Sequence, residues 1–221
     1  MKINRIFIDI DDVLSRFTMY ALASVGCLCV DRANFSDSIY NPTWGYDIVR
    51  AANNILMGTG VKYTRKTFWD SIGRSVWSTT PYSDEFQPIL RHCRVLVGKP
   101  KVALLTKPID DPECWAGKCE WIRSRCPPWL RNRCFLGQPK SFLAAPGSLL
   151  IDDSDKNCND WIAAGGQALL VPRPWNRLHG YDTAEYIDRC FANLRIENPL
   201  PEDPLTLAID MERKSFDELN Q

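Results

Sequence analysis

The first apolar run, "IFIDIDDVL", breaks into aspartates where a longer hydrophobic stretch would continue. Ile3, Ile6, Phe7 and Ile8 predict a short buried strand, with Asp9, Asp11 and Asp12 crowded at its end. A long polar and aromatic region follows to about residue 84. Phe86, Ile89, Leu90, Cys93 and Val97 then share one face of a helix that Gly98 and Pro100 end. "KVALLT" predicts a second strand ending at Thr106, and a helix follows from about Pro112 to Arg125. "RCFLG" is a weaker strand and "GSLLIDD" a strong one. Asp155 opens a helix carrying Cys158, Trp161 and Ile162, stopped by Gly165 and Gly166; "QALLV" is another strand. A last helix starts at Asp182, with Glu185 at capping-box spacing. Strands alternating with helices predict an α/β fold built on a doubly wound parallel sheet.

Composition alters this picture little. The 221 residues can bury a sizeable core with room for a smaller inserted unit. With 27 basic and 27 acidic residues the formal charge is zero, so any anion site must be local. The charge balance points to neither nucleic acid nor a membrane surface. No apolar run approaches the roughly 20 residues that span a bilayer, and the N-terminus lacks an apolar leader, so a cytoplasmic protein is expected. Nine cysteines in a chain too large to need disulfide staples read as reduced thiols. Cys114, Cys119, Cys126 and Cys134 lack a C-x-x-C pair. Trp115, Cys119, Ile122 and Cys126 instead recur as one apolar helical stripe, and core packing is expected for them, as for Cys27 and Cys29.

In such sheets ligands bind beyond the carboxyl ends of the strands. That rule selects Asp9 and Asp11 after the first strand, Thr106 at the end of the second, Lys140 past the weak strand, and Asp152 and Asp153 after "SLLI". Asp9, Asp11 and Asp12, crowded at one strand end, repel one another and resist desolvation, so they are either solvated turn residues or held together by a cation. The whole strand-end set supplies carboxylates for a hard cation, one hydroxyl and one ammonium, which suits a phosphate handled beside Mg²⁺.

The ordered motifs Asp9-Ile10-Asp11, Thr106, Lys140 and Asp152-Asp153 resemble those of the haloacid dehalogenase (HAD) superfamily of phosphohydrolases, over residues 3 to about 171. "DIDDVLSRF", "LLTKPIDDPECWAGKCEWI" and "LLIDDSDKN" are most similar to its 5′(3′)-deoxyribonucleotidase branch. The resemblance implies a HAD-like, Rossmann-type core at 1–14 and 85–196, a mainly helical cap at 15–84 inserted after the first strand, and a C-terminal extension at 197–221. The segment between Asp11 and Thr106 is far longer than an ordinary crossover, as such an insertion requires.

The implied activity is Mg²⁺-dependent hydrolysis of a deoxynucleoside monophosphate. Asp9 would be the nucleophile that becomes an aspartyl phosphate, and Asp11 the acid and base. The metal would be held by Asp9, the Asp11 carbonyl and Asp152 or Asp153, with Asp153 favoured. Thr106 and Lys140 would hold phosphoryl oxygens. Phe17 matches the branch's base-contacting Phe, and Phe68, Trp69 and Trp77 join it as substrate-binding candidates by local similarity. Asp12 stands where the family commonly has glycine, an added carboxylate able to disturb metal or phosphate. Lys107 stands where the nucleotidases often have Ser, either as a phosphate contact or facing solvent. The expected partner is a small phosphorylated substrate, with no membrane and no nucleic acid; a homodimer stays open. A HAD phosphatase for another small phosphomonoester or a nucleic-acid 3′-phosphate, and a catalytically silent HAD-like binding protein, are the alternatives.

Overall fold

The computed structural model describes residues 2–27 and 40–198. Cys29 and the extension from residue 199 onward lie outside them. Five parallel strands form one sheet: β1 (Arg5–Ile8), β2 (Val102–Thr106), β3 (Cys134–Leu136), β4 (Ser148–Asp152) and β5 (Gln167–Leu170), in the order β3-β2-β1-β4-β5. The register sets Ile8 beside Leu104 on one side and beside Ile151 on the other, so β1, β2 and β4 end nearly level. The chain winds outward through β2 and β3, then returns across β1 to β4 and β5. The strand order therefore reverses beside β1, which opens a crevice between the ends of β1 and β4.

Nine α-helices are described, α1 (Phe17–Ser24), α2 (Ile48–Ile55), α3 (Arg65–Asp70), α4 (Arg74–Thr79), α5 (Phe86–Val97), α6 (Pro112–Arg125), α7 (Pro128–Arg131), α8 (Asp155–Ala163) and α9 (Thr183–Glu197). No described helix is long and apolar enough to cross a membrane. Side chains alternate across the strands and each face has its own cover. Ile6, Ile8, Leu104, Leu149 and Ile151 pack with residues of α5, α6 and α9. Phe7, Leu105 and Leu150 point to the other face, where Trp161 of α8 covers them. Asp182 caps α9 by accepting from the Glu185 N–H at 2.8 Å, and Gly98, at φ 78°, follows the end of α5.

Helices α1 to α4 carry a separate apolar cluster that includes Phe17, Leu22, Phe68 and Trp77. It meets the core at α6, where α4 crosses Gly117. A Cβ there would lie 2.5 Å from Trp77 Cβ and 2.8 Å from the Arg74 carbonyl, so only glycine permits this approach.

Two expected helix faces are corrected. On α6 the buried residues are Cys114, Gly117, Lys118, Trp121 and Ile122, whereas Trp115 and Cys119 are exposed. The inward face is rotated by about one residue because a lysine occupies a core position through polar partners, which a count of apolar residues overlooks. On α8, Cys158 and Trp161 are buried but Ile162 is exposed, since Trp161, with Leu143 and Ala144 beside it, already covers that face of the sheet. All cysteines among the described residues are free, and Cys27, Cys114 and Cys126 are buried as core thiols.

Candidate active site

The crevice beside β1 gathers the acids. One carboxylate oxygen each from Asp9, Asp152 and Asp153 lie within 4.8 Å of one another, and all three residues are buried. Asp9 follows β1, where its N–H donates to the Ile151 carbonyl at 2.9 Å and its Oδ1 accepts from the Ile10 N–H at 2.8 Å. Lys140 enters from the turn after β3. Its ammonium is 2.8 Å from Asp9 Oδ2 and 2.7 Å from Asp152 Oδ2. Burial opposes the charge on Lys140, but the two carboxylates outweigh it and raise its pKa.

The two aspartates after β4 differ in their surroundings. Asp152 is saturated: Oδ1 accepts from the Ser154 N–H at 2.9 Å and from Asn157 Nδ2 at 3.1 Å, and Oδ2 accepts from Lys140 and Asn157. Asp153 Oδ2 accepts from Trp175 Nε1 at 2.7 Å, while its buried Oδ1 has no hydrogen-bond partner among the described residues. Burial first, and then the neighbouring charges of Asp152, Asp12 and Asp9, push the Asp153 carboxyl well above its ordinary value. An unpartnered buried oxygen is costly, and this one lies in an all-oxygen set of three buried carboxylates, two of which pair with Lys140. Those features fit a hard divalent cation.

Asp11, at the edge of the crevice, is ion-paired with Lys118 of α6, whose Nζ also donates to Thr106 Oγ1 at 3.1 Å. Burial raises the Asp11 carboxyl above the usual range against the pull of Lys118. Asp12 adopts the left-handed region at φ 56°, an uncommon conformation that aspartate tolerates better than most residues. Its carboxylate turns to α1, accepting from Thr18 N at 2.9 Å and Thr18 Oγ1 at 2.6 Å. Its carbonyl accepts from Arg173 Nε at 2.7 Å. Burial pushes the Asp12 carboxyl up to about 7. The added carboxylate is thus engaged in anchoring α1.

Next to the acids opens a cavity of about 270 Å³, lined by Asp11, Asp12, Phe17, Trp69, Trp77, Lys107 and Trp175 among others. Phe17 stacks on Trp77 with ring centroids 4.1 Å apart, and Trp69 lies nearly parallel to both. The Trp77 indole N–H is buried without a hydrogen-bond partner among the described residues. Phe68 does not share this wall: it is fully buried, edge-on to Tyr63 and Trp69, and it serves the helical cluster. Phe68 is not among the residues that line the cavity, so the structure does not bring it to the site as the local similarity implied. Lys107 is exposed at the cavity's edge.

No family profile matches the sequence, and no curated protein matches it. Solved structures do. A HAD family hydrolase from Deinococcus radiodurans R1, with bound phosphate and sodium, superposes with a TM-score of 0.51 at 15% identity, over 87% of this chain and 93% of that one. The fold is that of the HAD hydrolases. A haloacid dehalogenase-like hydrolase from Xanthomonas campestris gives a TM-score of 0.49 at 16% identity, over 88% of this chain and 94% of the other.

On this HAD fold the structure brings Asp9, Asp11, Thr106, Lys140, Asp152 and Asp153 to one end of the sheet, with Phe17, Trp69 and Trp77 beside them. Sequence reasoning missed Lys118 and Trp175. Lys118 carried a signal: it lies four residues after Cys114 and three before Trp121, a cation within an apolar repeat. Trp175 lies in the loop beyond β5, at the same end of the sheet as the other site residues, and the strand-end rule applied to β5 would have selected it.

Proposed function

We propose that this chain is a Mg²⁺-dependent phosphatase that hydrolyses a deoxynucleoside monophosphate through an aspartyl phosphate. The observation that carries this reading is the buried Asp9–Asp152–Asp153 cluster, with its one unpartnered oxygen, set beside Lys140, Thr106 and Lys118. Asp9, Asp153 and the Asp11 carbonyl would hold Mg²⁺, and Asp153 is preferred to Asp152 because the oxygens of Asp152 already have protein donors. When bound, Mg²⁺ supplies positive charge that offsets the phosphoryl oxygens.

The chain's own groups do the rest. A carboxylate oxygen of Asp9 bonds to phosphorus as the ester P–O bond breaks. Asp11 would serve as the acid that protonates the departing oxygen. Asp11 then takes a proton from the water that attacks phosphorus, which breaks the Asp9–phosphate bond and releases inorganic phosphate. Splitting one displacement into two is the usual gain of covalent catalysis. Lys140, Lys118 and Thr106 would donate to the phosphoryl oxygens, where fixed charge counts most. Lys118 also holds the Asp11 carboxylate in place.

The helical segment at 15–84 would act as a cap whose Phe17, Trp69 and Trp77 meet a flat nucleobase. Phosphate bound to the Deinococcus radiodurans hydrolase supports a phosphorylated ligand on this fold. Phosphate release from a panel of deoxynucleoside monophosphates, sugar phosphates and 3′-phosphorylated oligonucleotides tests the reading. Release should favour the nucleotides, vanish with EDTA and return with Mg²⁺. Metal-indifferent release, or none from any nucleotide, would contradict it.

A further inference from the structure

We infer that Trp175 is a positioning residue for the cation site, aiming Asp153 and tying it to the helical segment. The inference rests on reading Asp153 as a cation ligand. Trp175 lies in the loop after β5, 22 residues from its partner, and its buried indole N–H donates to Asp153 Oδ2 at 2.7 Å. The next residue secures the main chain: Asn176 Nδ2 donates to the Asp153 carbonyl at 2.8 Å and to the Val171 carbonyl at 2.8 Å. One loop therefore grips Asp153 by backbone and side chain together. With Oδ2 engaged, rotation of the carboxylate is fixed and Oδ1 alone is left without a partner.

The indole ring is itself held from the other side. Tyr40 meets it edge-on at 5.1 Å and Tyr46 at 6.4 Å, and the ring belongs to the apolar cluster of α1 to α4. Trp175 also lines the cavity. A single side chain thus touches the proposed metal ligand, the substrate cavity and the segment that roofs it. Groups that orient a metal ligand from behind fix its geometry and typically contribute about 10- to 100-fold in metal affinity.

The test is Mn²⁺ binding to the substrate-free protein, read as free Mn²⁺ by electron paramagnetic resonance, in wild type, Asp153→Asn and Trp175→Phe. Phenylalanine keeps an aromatic ring against Tyr40 and removes the N–H. Asp153→Asn should abolish tight binding, and Trp175→Phe should weaken it by about 10- to 100-fold. If Asp153→Asn binds Mn²⁺ as wild type does, the ligand assignment fails and the inference with it. If Asp153→Asn loses binding while Trp175→Phe keeps the wild-type Kd, even with a lowered melting temperature, Trp175 is structural and only this inference falls. A measurement on wild type needs no variant to fold: the assigned indole ¹H–¹⁵N resonance of Trp175 should shift on Mg²⁺ titration. A resonance that stays fixed at saturating Mg²⁺ would overturn the proposal.

Discussion

Phe17, Trp69 and Trp77 show how one set of rings can serve two ends. Phe17 and Trp77 cover each other and are buried, so they hold α1 against α4 as well as facing the cavity. Trp69 is only half-buried, which makes its ring the better surface for a flat ligand. Trp69→Leu should therefore lower the specificity constant for a deoxynucleoside monophosphate by roughly 5- to 150-fold, the equivalent of about 1 to 3 kcal/mol of base–aromatic stacking. Turnover of p-nitrophenyl phosphate, which has no base, should fall much less. An unchanged ratio of the two specificity constants would remove this wall from substrate recognition. At this scale the sequence revealed what sits at strand ends, because strand periodicity and the strand-end rule together locate Asp9, Thr106 and Asp152. Lys118 was hidden because an ion pair with Asp11, 107 residues away, lets a lysine occupy an apolar position. Trp175 differs: it stands in the loop beyond β5, where the strand-end rule reaches it once that strand is included, although its hydrogen bond to Asp153 is not itself visible in the sequence.

Among the elements, α6 joins the most functions. Its first turn is capped by Asp111, which accepts from the Glu113 N–H at 2.9 Å, and Lys118 reaches the site from its middle. Gly117 lets α4 lie close enough for Trp77 to sit near the Lys118 ammonium, 5.1 Å from the ring centroid. Gly117→Val should force α4 away and destabilise the protein by about 1 to 3 kcal/mol, as overpacking of a tight contact does. Urea unfolding measures this, and a variant as stable as wild type would show that the α4–α6 crossing is not tightly constrained. The strands and the helices α5, α6, α8 and α9 were legible because buried parallel strands read as short apolar runs between capped helices, whereas α1 to α4 and the short α7 were not read individually from the residues. The inward face of α6 was not legible, since glycine and lysine both count against burial in a hydrophobic pattern.

Across the whole molecule, a formal charge of zero conceals a concentration of acid at one end of the sheet, neutralised in part by Lys140 and Lys118. The long segment after β1 adds a second apolar cluster next to that end, and Trp175 joins the two through one ring. The central claim is that Asp9 carries the phosphoryl group between ester and water. Its most direct test is to quench the turning-over protein in acid, reduce it with borohydride, and examine the peptide containing residue 9 by mass spectrometry. An aspartyl phosphate at Asp9 should appear as homoserine at that position, dependent on both nucleotide and Mg²⁺, and be absent from an inactive Asp9→Asn protein. Full turnover with no reducible adduct at residue 9, or near-native activity in purified Asp9→Asn, would contradict the account.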